Sequence, residues 1–157
     1  MFMSTRTPSV LFVCLGNLCR SPTAHAVLYT MASEQGVEMQ VDSAGTAAYH
    51  KGKLPDPRSR EAGEARGYSF KGQRSRPVQV EDFSRFDLVL AMDNNNLRDL
   101  LAVCPPEHQH KVRLFLEFSE HDESEVPDPY YGGRQGFELV LDLIEQGCTV
   151  LLSKVKH

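Results

Sequence analysis

The stretch VLFVCLGNLCRSPTAHAVL, residues 10–28, decides the fold of this chain. Its first half is a continuous apolar and β-branched run, which predicts a central parallel strand covered on both faces. Ser21 is a good N-cap residue and Pro22 suits the first helical position. Apolar residues then recur at helical spacing, namely Ala24, Val27, Leu28 and Met31. We therefore predict a helix over residues 22–35 that ends near Gly36.

Strand-like and helix-like segments alternate along the rest of the chain. The strand-like segments are MQVDSAG at 39–45, FDLVLAMD at 86–93 and KVRLFL at 111–116. Helical patterns lie between them at 57–66 and 94–103, where DNNNL provides a polar cap. A last long helix is indicated by an apolar stripe of Phe137, Val140, Leu141, Ile144, Cys148 and Leu151. This alternation predicts right-handed βαβ crossovers and a parallel sheet.

Length and composition indicate one compact domain. A chain of 157 residues with 41% hydrophobic content can bury a sizeable core, so we expect a single domain over 1–157, with residues 1–8 as a loose extension. The net charge of −4 argues against bulk nucleic-acid binding. No apolar run is long enough for a membrane span and MFMSTRTPS lacks a signal-peptide pattern, so we expect a cytoplasmic protein.

Four cysteines are scattered through the chain, at positions 14, 19, 104 and 148. They are too few for a disulfide scaffold and lack zinc-ligand spacing, so we expect reduced thiols, of which Cys104 and Cys148 belong to the core.

Charge is distributed unevenly along the sequence. Residues 51–76 hold eight Lys or Arg against three acids, and residues 115–145 hold nine acids against Arg134 alone. Two solvated faces of opposite sign explain this pattern, and a surface for a charged partner is the alternative.

The turn between the first strand and the first helix has the composition of an anion site. In parallel α/β sheets ligands bind beyond the carboxyl ends of strands, where helix N-termini and turned-in amides favour a phosphate-like dianion. Gly16 lets the backbone curl, and Cys14 and Arg20 bracket the turn with C-x5-R spacing. The amides and helix N-terminus that attract phosphate also stabilise a thiolate at Cys14. The Arg20 guanidinium can bind phosphoryl oxygens through paired hydrogen bonds. A Walker loop is excluded because the turn contains no lysine.

A thiolate that attacks phosphorus needs an acid to protonate the leaving oxygen. VPDPYYGG, residues 126–133, holds Asp128 between two prolines that stiffen the backbone. Tyr130 and Tyr131 follow directly and can line a slot for an aromatic ring. We therefore select Asp128 as the candidate general acid.

Five motifs together resemble the low-molecular-weight protein tyrosine phosphatases, in order and spacing over almost the whole chain. They are VLFVCLGNLCRSP, DSAGT, PDPR, FDLVLAMD and DPYYGG. The resemblance implies a three-layer α/β fold of the Rossmann-like or flavodoxin-like kind, with a twisted four-stranded parallel sheet flanked by helices on both faces. It implies hydrolysis of phosphotyrosine in protein substrates without a metal or cofactor. We expect those substrates and a cognate tyrosine kinase as partners. We expect no binding to nucleic acid or membrane, and a monomeric state.

The resemblance also assigns roles to individual residues. Cys14 is implied as the nucleophile that forms a phosphocysteine, Arg20 as the ligand of the phosphoryl group and Asp128 as the acid and later the base. Ser21 is implied to stabilise the thiolate through a hydrogen bond. Backbone amides from residue 15 to residue 20 are implied to bind the phosphate oxygens. They belong to Leu15, Gly16, Asn17, Leu18, Cys19 and Arg20. Those implied to hold the loop are Asn17 and Ser43, and those implied to wall the entrance are Tyr49, Tyr130 and Tyr131.

Two positions depart from the family pattern. Family members often carry a histidine that bonds the loop asparagine where this chain has Gln73, and tryptophan where it has Tyr49. We expect a modified support for the loop at the first position and a changed substrate preference at the second. The family also implies that Cys19 can form a reversible disulfide with Cys14 and thereby guard it against irreversible oxidation.

Three other functions stay open at the level of sequence. An arsenate reductase would use the same loop but needs further cysteines, and Cys104 and Cys148 lack a redox-pair spacing. A protein arginine phosphatase carries threonine where this chain has Leu18, which fits an aryl phosphate better. A phosphoprotein-binding module or redox sensor would hold phosphate without hydrolysing it, and the set of Cys14, Arg20 and Asp128 argues against that.

Overall fold

The computed structural model of the chain describes residues 7–47, 49–118, 124–129 and 133–155. Four parallel strands form one sheet in the order β2-β1-β3-β4. The apolar run of residues 10–13 therefore lies in an interior strand, as its sequence predicts. The strands are β1 (Ser9–Cys14), β2 (Gln40–Gly45), β3 (Leu88–Ala91) and β4 (Val112–Leu114).

Helices cover both faces of the sheet. They are α1 (Arg20–Glu34), α2 (Pro57–Ala65), α3 (Val80–Arg85), α4 (Asn94–Val103) and α5 (Gly133–Val155), with short 3-10 helices at Pro106–Lys111 and Phe115–Phe118. α1 and α5 pack on one face and α2 packs against both of them, whereas α3 and α4 lie on the other face. The three-layer α/β architecture is thus confirmed.

Alternate residues of β1 supply the two cores. Phe12 and Cys14 belong to the core shared with α1 and α5, while Leu11 and Val13 belong to the core shared with α3 and α4. Phe12 meets Phe115 edge to face, with ring centroids 5.2 Å apart. Full burial of one such side chain contributes about 1.5–3 kcal/mol. Both faces of β1 are therefore fixed, and its carboxyl end is a rigid base for the turn that follows. The prediction that Cys104 and Cys148 are core residues is also confirmed.

The first helix begins earlier than its sequence predicts. Cys19 is the N-cap residue, and its side chain does not cap the helix. Ser21 already lies inside the first turn, where its hydroxyl contacts the Cys14 thiol. Pro22 is accommodated because the first amides of a helix need no intrahelical acceptor. The helix ends before Gly36, which has a φ of +68° as a helix-terminating glycine does.

Two short elements differ from the predictions. α3 has only six residues and too little periodicity to detect, and a capping box between Gln79 and Asp82 begins it. β4 ends at Leu114, and the expected strand residues Phe115 and Leu116 continue as a 3-10 helix.

Residues 1–6 of the expected N-terminal extension lie outside the described residues. Pro8 is held in place, because its carbonyl accepts a hydrogen bond from the amide of Gln40 at 2.8 Å. No helix within the described ranges has the length and apolar character needed to cross a membrane.

Two glycines of α5 give a matched test of core packing. A Cβ at Gly147 would stand 2.5 Å from the Phe115 ring, whereas a Cβ at Gly136 would make ordinary contacts with Pro129 at 3.5 Å and beyond. We expect Gly147→Ala to destabilise the protein by about 1–3 kcal/mol because the ring must move. Gly136→Ala should instead stabilise it by up to about 1 kcal/mol through helix propensity. Urea unfolding of both variants checks this, and equal effects would contradict the packing described.

Candidate active site

Residues 15–19 form a loop between the carboxyl end of β1 and the start of α1. Four carbonyls along this segment are held by groups outside it. The pairs are Cys14 with the Thr46 amide at 2.9 Å, Leu15 with the Ala47 amide at 3.0 Å, Gly16 with the Ser75 hydroxyl at 3.0 Å and Leu18 with the Asp56 amide at 2.9 Å. None of the described residues accepts a hydrogen bond from the amides of residues 15–20. These amides are therefore available to an anion.

The turn in the loop occurs at Asn17 and not at Gly16. Asn17 has a φ of +56°, a left-handed conformation that asparagine tolerates better than most residues. Gly16 instead leaves space for His50, whose ring carbon would lie 3.1 Å from a Cβ there. Gly45 is needed for a similar reason, because a Cβ at that position would lie 2.7 Å from the Leu15 carbonyl oxygen.

The Cys14 thiol lies at the floor of the loop in contact with Ser21. The Sγ of Cys14 is 3.0 Å from the Ser21 Oγ, and both side chains are buried. The Asn17 side chain donates through Nδ2 to the same Oγ at 2.8 Å, and the Ala44 carbonyl lies 3.3 Å away as an alternative acceptor. Because the Asn17 side chain occupies an Oγ lone pair, the single hydroxyl proton is free to point at a thiolate. The arrangement can therefore stabilise negative charge on Cys14.

The Arg20 guanidinium is buried above the loop and fixed by two acceptors. One of its nitrogens donates to Asp93 Oδ2 at 2.6 Å and to the Val126 carbonyl at 3.0 Å. Burial alone lowers the pKa of Arg20, but the charges of Cys14 and Asp93 outweigh it, and the pKa is raised above its ordinary value. The guanidinium is thus a fixed positive charge at the site.

Asp128 faces Arg20 from the other side of the site. Its Oδ2 is 4.0 Å from the second terminal nitrogen of Arg20, and its side chain is 57% exposed. A carboxyl group in this position is accessible to a ligand bound in the loop.

The segment that carries Asp128, residues 124–129, is anchored to the junction between β3 and α4. The Val126 amide donates to the Met92 carbonyl at 2.8 Å. Glu125 Oε2 accepts hydrogen bonds from the amide of Asn94 at 2.7 Å and from its side chain at 3.1 Å. These bonds determine where Asp128 stands relative to Arg20.

Asp93 and Glu125 are contributors that the sequence prediction missed. Asp93 directly follows a buried strand and caps α4 by accepting from the Asn96 amide at 2.8 Å, which its position in DNNNL indicates. Its second oxygen binds Arg20 because β1 and β3 are neighbours whose carboxyl ends meet at one edge. An acid directly after a predicted interior strand was the available signal. Glu125 gave no comparable signal.

The site is a cavity of about 130 Å³ at the carboxyl edge of the sheet. Tyr49 stands at its rim and is 79% exposed. Tyr130 and Tyr131, the other expected wall residues, lie outside the described residues. His50 and Asp56 also line the cavity, although the sequence did not select them. The described lining comprises Cys14, Leu15, Gly16, Leu18, Cys19, Arg20, Tyr49, His50, Asp56 and Asp128.

Two predicted supports of the loop have other contacts. The Ser43 hydroxyl lies 3.3 Å from Nδ1 of His25, so it braces α1 and does not hold the loop. Successive side chains of a strand point to opposite faces of the sheet, and Ser43 lies on the face of β2 that α1 covers.

Gln73 supports the first turn of α1 and not the loop asparagine. Its Nε2 donates to the Pro22 carbonyl at 3.2 Å, and its Oε1 has no hydrogen-bond partner among the described residues. The Asn17 Oδ1 accepts from the Arg76 amide at 3.0 Å instead.

Cys19 differs from Cys14 in its surroundings. Burial raises the pKa of the Cys19 thiol to about 12, and a hydrogen bond with Ser59 lowers it only in part. All four cysteines are free. Within the described ranges no group of three or more His, Cys, Asp or Glu side chains has the arrangement of a metal site.

Comparison with known proteins agrees with this geometry. The family model for low molecular weight phosphotyrosine protein phosphatases matches residues 9–157. A low molecular weight protein-tyrosine-phosphatase of Bacillus subtilis is 39% identical over 151 residues, which are 94% of this chain and 96% of that protein.

Solved structures agree over the same extent. A protein tyrosine phosphatase from Entamoeba histolytica, crystallised with Hepes in the active site, superposes with a TM-score of 0.92 at 42% identity, over 96% of this chain and 97% of that chain. An arginine phosphatase of Drosophila superposes with a TM-score of 0.87 at 32% identity, over 94% of this chain and 98% of that one. Matches of this extent and identity show that the chain belongs to the low molecular weight phosphotyrosine protein phosphatases, a family of phosphoric monoester hydrolases.

Proposed function

We propose that this protein hydrolyses phosphotyrosine in proteins through a phosphocysteine intermediate and without a metal ion. The observation that carries the proposal is the convergence of Cys14, Arg20 and Asp128 on one cavity, with the Cys14 Sγ 3.0 Å from a hydroxyl donor. The amides of residues 15–20 and the N-terminus of α1 supply further positive potential for the phosphoryl oxygens.

In the first half-reaction the Cys14 thiolate attacks phosphorus, and the bond between phosphorus and the phenolic oxygen breaks. Asp128 gives its proton to that oxygen, so the product is neutral tyrosine. Arg20 binds the equatorial oxygens with paired donors while charge spreads over them. Phosphorus is then bonded to the Cys14 sulfur.

In the second half-reaction Asp128, now a carboxylate, takes a proton from water. The water oxygen bonds to phosphorus as the bond from phosphorus to sulfur breaks, and inorganic phosphate leaves. The Ser21 hydroxyl stabilises the departing thiolate through the same contact it makes with Cys14 at 3.0 Å. Positive charge at the transition state comes from Arg20 and backbone amides, so a metal ion has no required role.

The proposal also covers the partner, the oligomeric state, the compartment and the preferred ester. A cognate tyrosine kinase supplies the phosphoprotein substrates, and the protein acts as a monomer. Four free thiols fit a reducing compartment, which is consistent with the cytoplasm. Leu18 lines the cavity and gives it an apolar wall that favours an aryl ester over phosphoarginine.

The first test compares phosphate release from phosphotyrosine, phosphoserine and phosphoarginine peptides of one sequence. We expect turnover of the phosphotyrosine peptide alone, unchanged by EDTA. Cys14→Ser should lower it by about 10⁴-fold or more, because a serine hydroxyl is not ionised at neutral pH and is a far weaker nucleophile than a thiolate. Faster release from phosphoarginine, or metal-dependent turnover that survives Cys14→Ser, would overturn the proposal.

The role of Asp128 is tested by the leaving group. Asp128→Asn should lower kcat/KM for phenyl phosphate by about 10²–10⁴-fold and that for p-nitrophenyl phosphate much less, because nitrophenolate leaves without a proton. Glu125→Ala should shift the two substrates in the same unequal way but by a smaller factor, since it releases the segment bearing Asp128. Glu117→Ala is the matched control, because Glu117 is the exposed residue of the otherwise buried 3-10 helix at 115–118. Equal losses on both substrates would argue against a proton-donating Asp128.

The role of Cys19 as redox guard is tested by pH. Peroxide converts the Cys14 thiolate to a sulfenic acid, and the Cys19 thiolate displaces hydroxide from that sulfur to form a disulfide. Since the pKa of Cys19 is raised to about 12, its thiolate fraction grows with pH. Disulfide formation should therefore quicken about tenfold per pH unit from pH 7 to 9. Mass spectrometry measures it, with Cys19→Ser as control; a rate that does not change with pH would contradict this role.

A further inference from the structure

Three basic side chains beside the cavity are exposed. Lys51, Lys53 and Arg74, which we call the basic rim, form no ion pair with any carboxylate in the described part of the chain. Most other arginines of the basic stretch at 51–76 are paired: Arg58 with Asp56, Arg66 with Glu138, Asp142 and Glu145, and Arg76 with Asp42 and Asp82. The basic rim therefore carries charge that no carboxylate of the described residues neutralises.

Hydrogen bonds to backbone carbonyls join the parts of the basic rim. The Gly52 amide donates to the Ser75 carbonyl at 2.7 Å, and the Ser75 amide donates to the Lys53 carbonyl at 2.8 Å. The Arg74 guanidinium donates to the Gly52 carbonyl at 3.2 Å. These bonds join residues 51–53 to residues 74–75, so Lys51, Lys53 and Arg74 project from neighbouring segments of the chain.

The same segment is fastened to the phosphate loop. The Ser75 hydroxyl donates to the carbonyl of Gly16, a residue that lines the cavity. His50 and Asp56, on either side of Lys51 and Lys53 in the chain, line the cavity as well. The basic rim is therefore part of the border of the entrance and not a remote surface.

We propose that the basic rim binds acidic residues that flank the phosphotyrosine of a protein substrate. This inference rests on the proposed function, because the phosphate must first enter the loop. A peptide chain spans about 3.3 Å per residue, so side chains one to three positions from the phosphotyrosine lie over the border of the entrance. The nearby exposed Leu54 and Tyr49 offer apolar contact to the same peptide.

The size of the effect follows from the exposure of the three cations. An exposed ion pair changes an affinity by about two- to fivefold, and solvent ions screen it. Two such pairs should favour an acidic peptide about tenfold in kcat/KM at low salt.

The test uses two phosphotyrosine peptides of one length, one with Glu and Asp around the phosphotyrosine and one with Gln and Asn. The readout is the ratio of kcat/KM for the acidic peptide to that for the neutral one. We expect a ratio of about ten at low ionic strength that falls toward one as NaCl is added. The double variant Lys51→Gln with Lys53→Gln should abolish the preference. Lys154→Gln, an exposed lysine in the last turn of α5, is the matched control and should keep it.

The peptide ratios and the turnover of the wild type test the role of the basic rim and the proposed function separately. A ratio near one in the wild type, or a ratio that the double variant retains, would overturn the role of the basic rim and leave the proposed function intact. An equal drop in the ratio for Lys154→Gln would also overturn it, since net charge alone would then explain the preference. No turnover of either peptide by the wild type would contradict the proposed function itself.

Discussion

The ion pair between Arg20 and Asp93 is the interaction on which the site depends. It joins the start of α1 to the start of α4, across the carboxyl ends of the neighbouring strands β1 and β3. A buried guanidinium is costly unless it is paired and its donors are used, and Asp93 with the Val126 carbonyl meets that need. Because the same nitrogen also binds Val126, one buried cation positions both the phosphate loop and the segment that carries Asp128.

A second set of contacts keeps the loop in one shape. Its carbonyls are bound by groups outside it and Asn17 turns the chain, so the amides of residues 15–20 are left for a ligand. Ser21 lies where the Asn17 side-chain nitrogen and the Cys14 sulfur both reach its hydroxyl. The helix therefore contributes more than its dipole: its first turn delivers a polarised hydroxyl to the thiol. These are local consequences of one strand-turn-helix sequence.

The sequence predicted the parts of the molecule that local chemistry determines. The apolar run of β1, the helical spacing of α1 and the C-x5-R turn are contiguous, and the four-stranded architecture followed from the resemblance. The contacts of Ser43, Gln73, Asp93 and Glu125 depend on which elements become neighbours, and spacing along one chain does not contain that information. Gly16 was selected for the turn because glycine is permissive, yet the asparagine beside it adopts the left-handed conformation because its side chain is bonded at both ends.

Gln73 gives this chain a support whose charge never changes. A histidine at that position gains and loses a proton near neutrality, and its contacts alter with it. A carboxamide does not ionise, so the hydrogen bond from Gln73 to the Pro22 carbonyl is the same in acid and in alkali. The first turn of α1 carries the Arg20 guanidinium and contacts the Cys14 thiol through Ser21. It is therefore braced by a contact that does not change with pH.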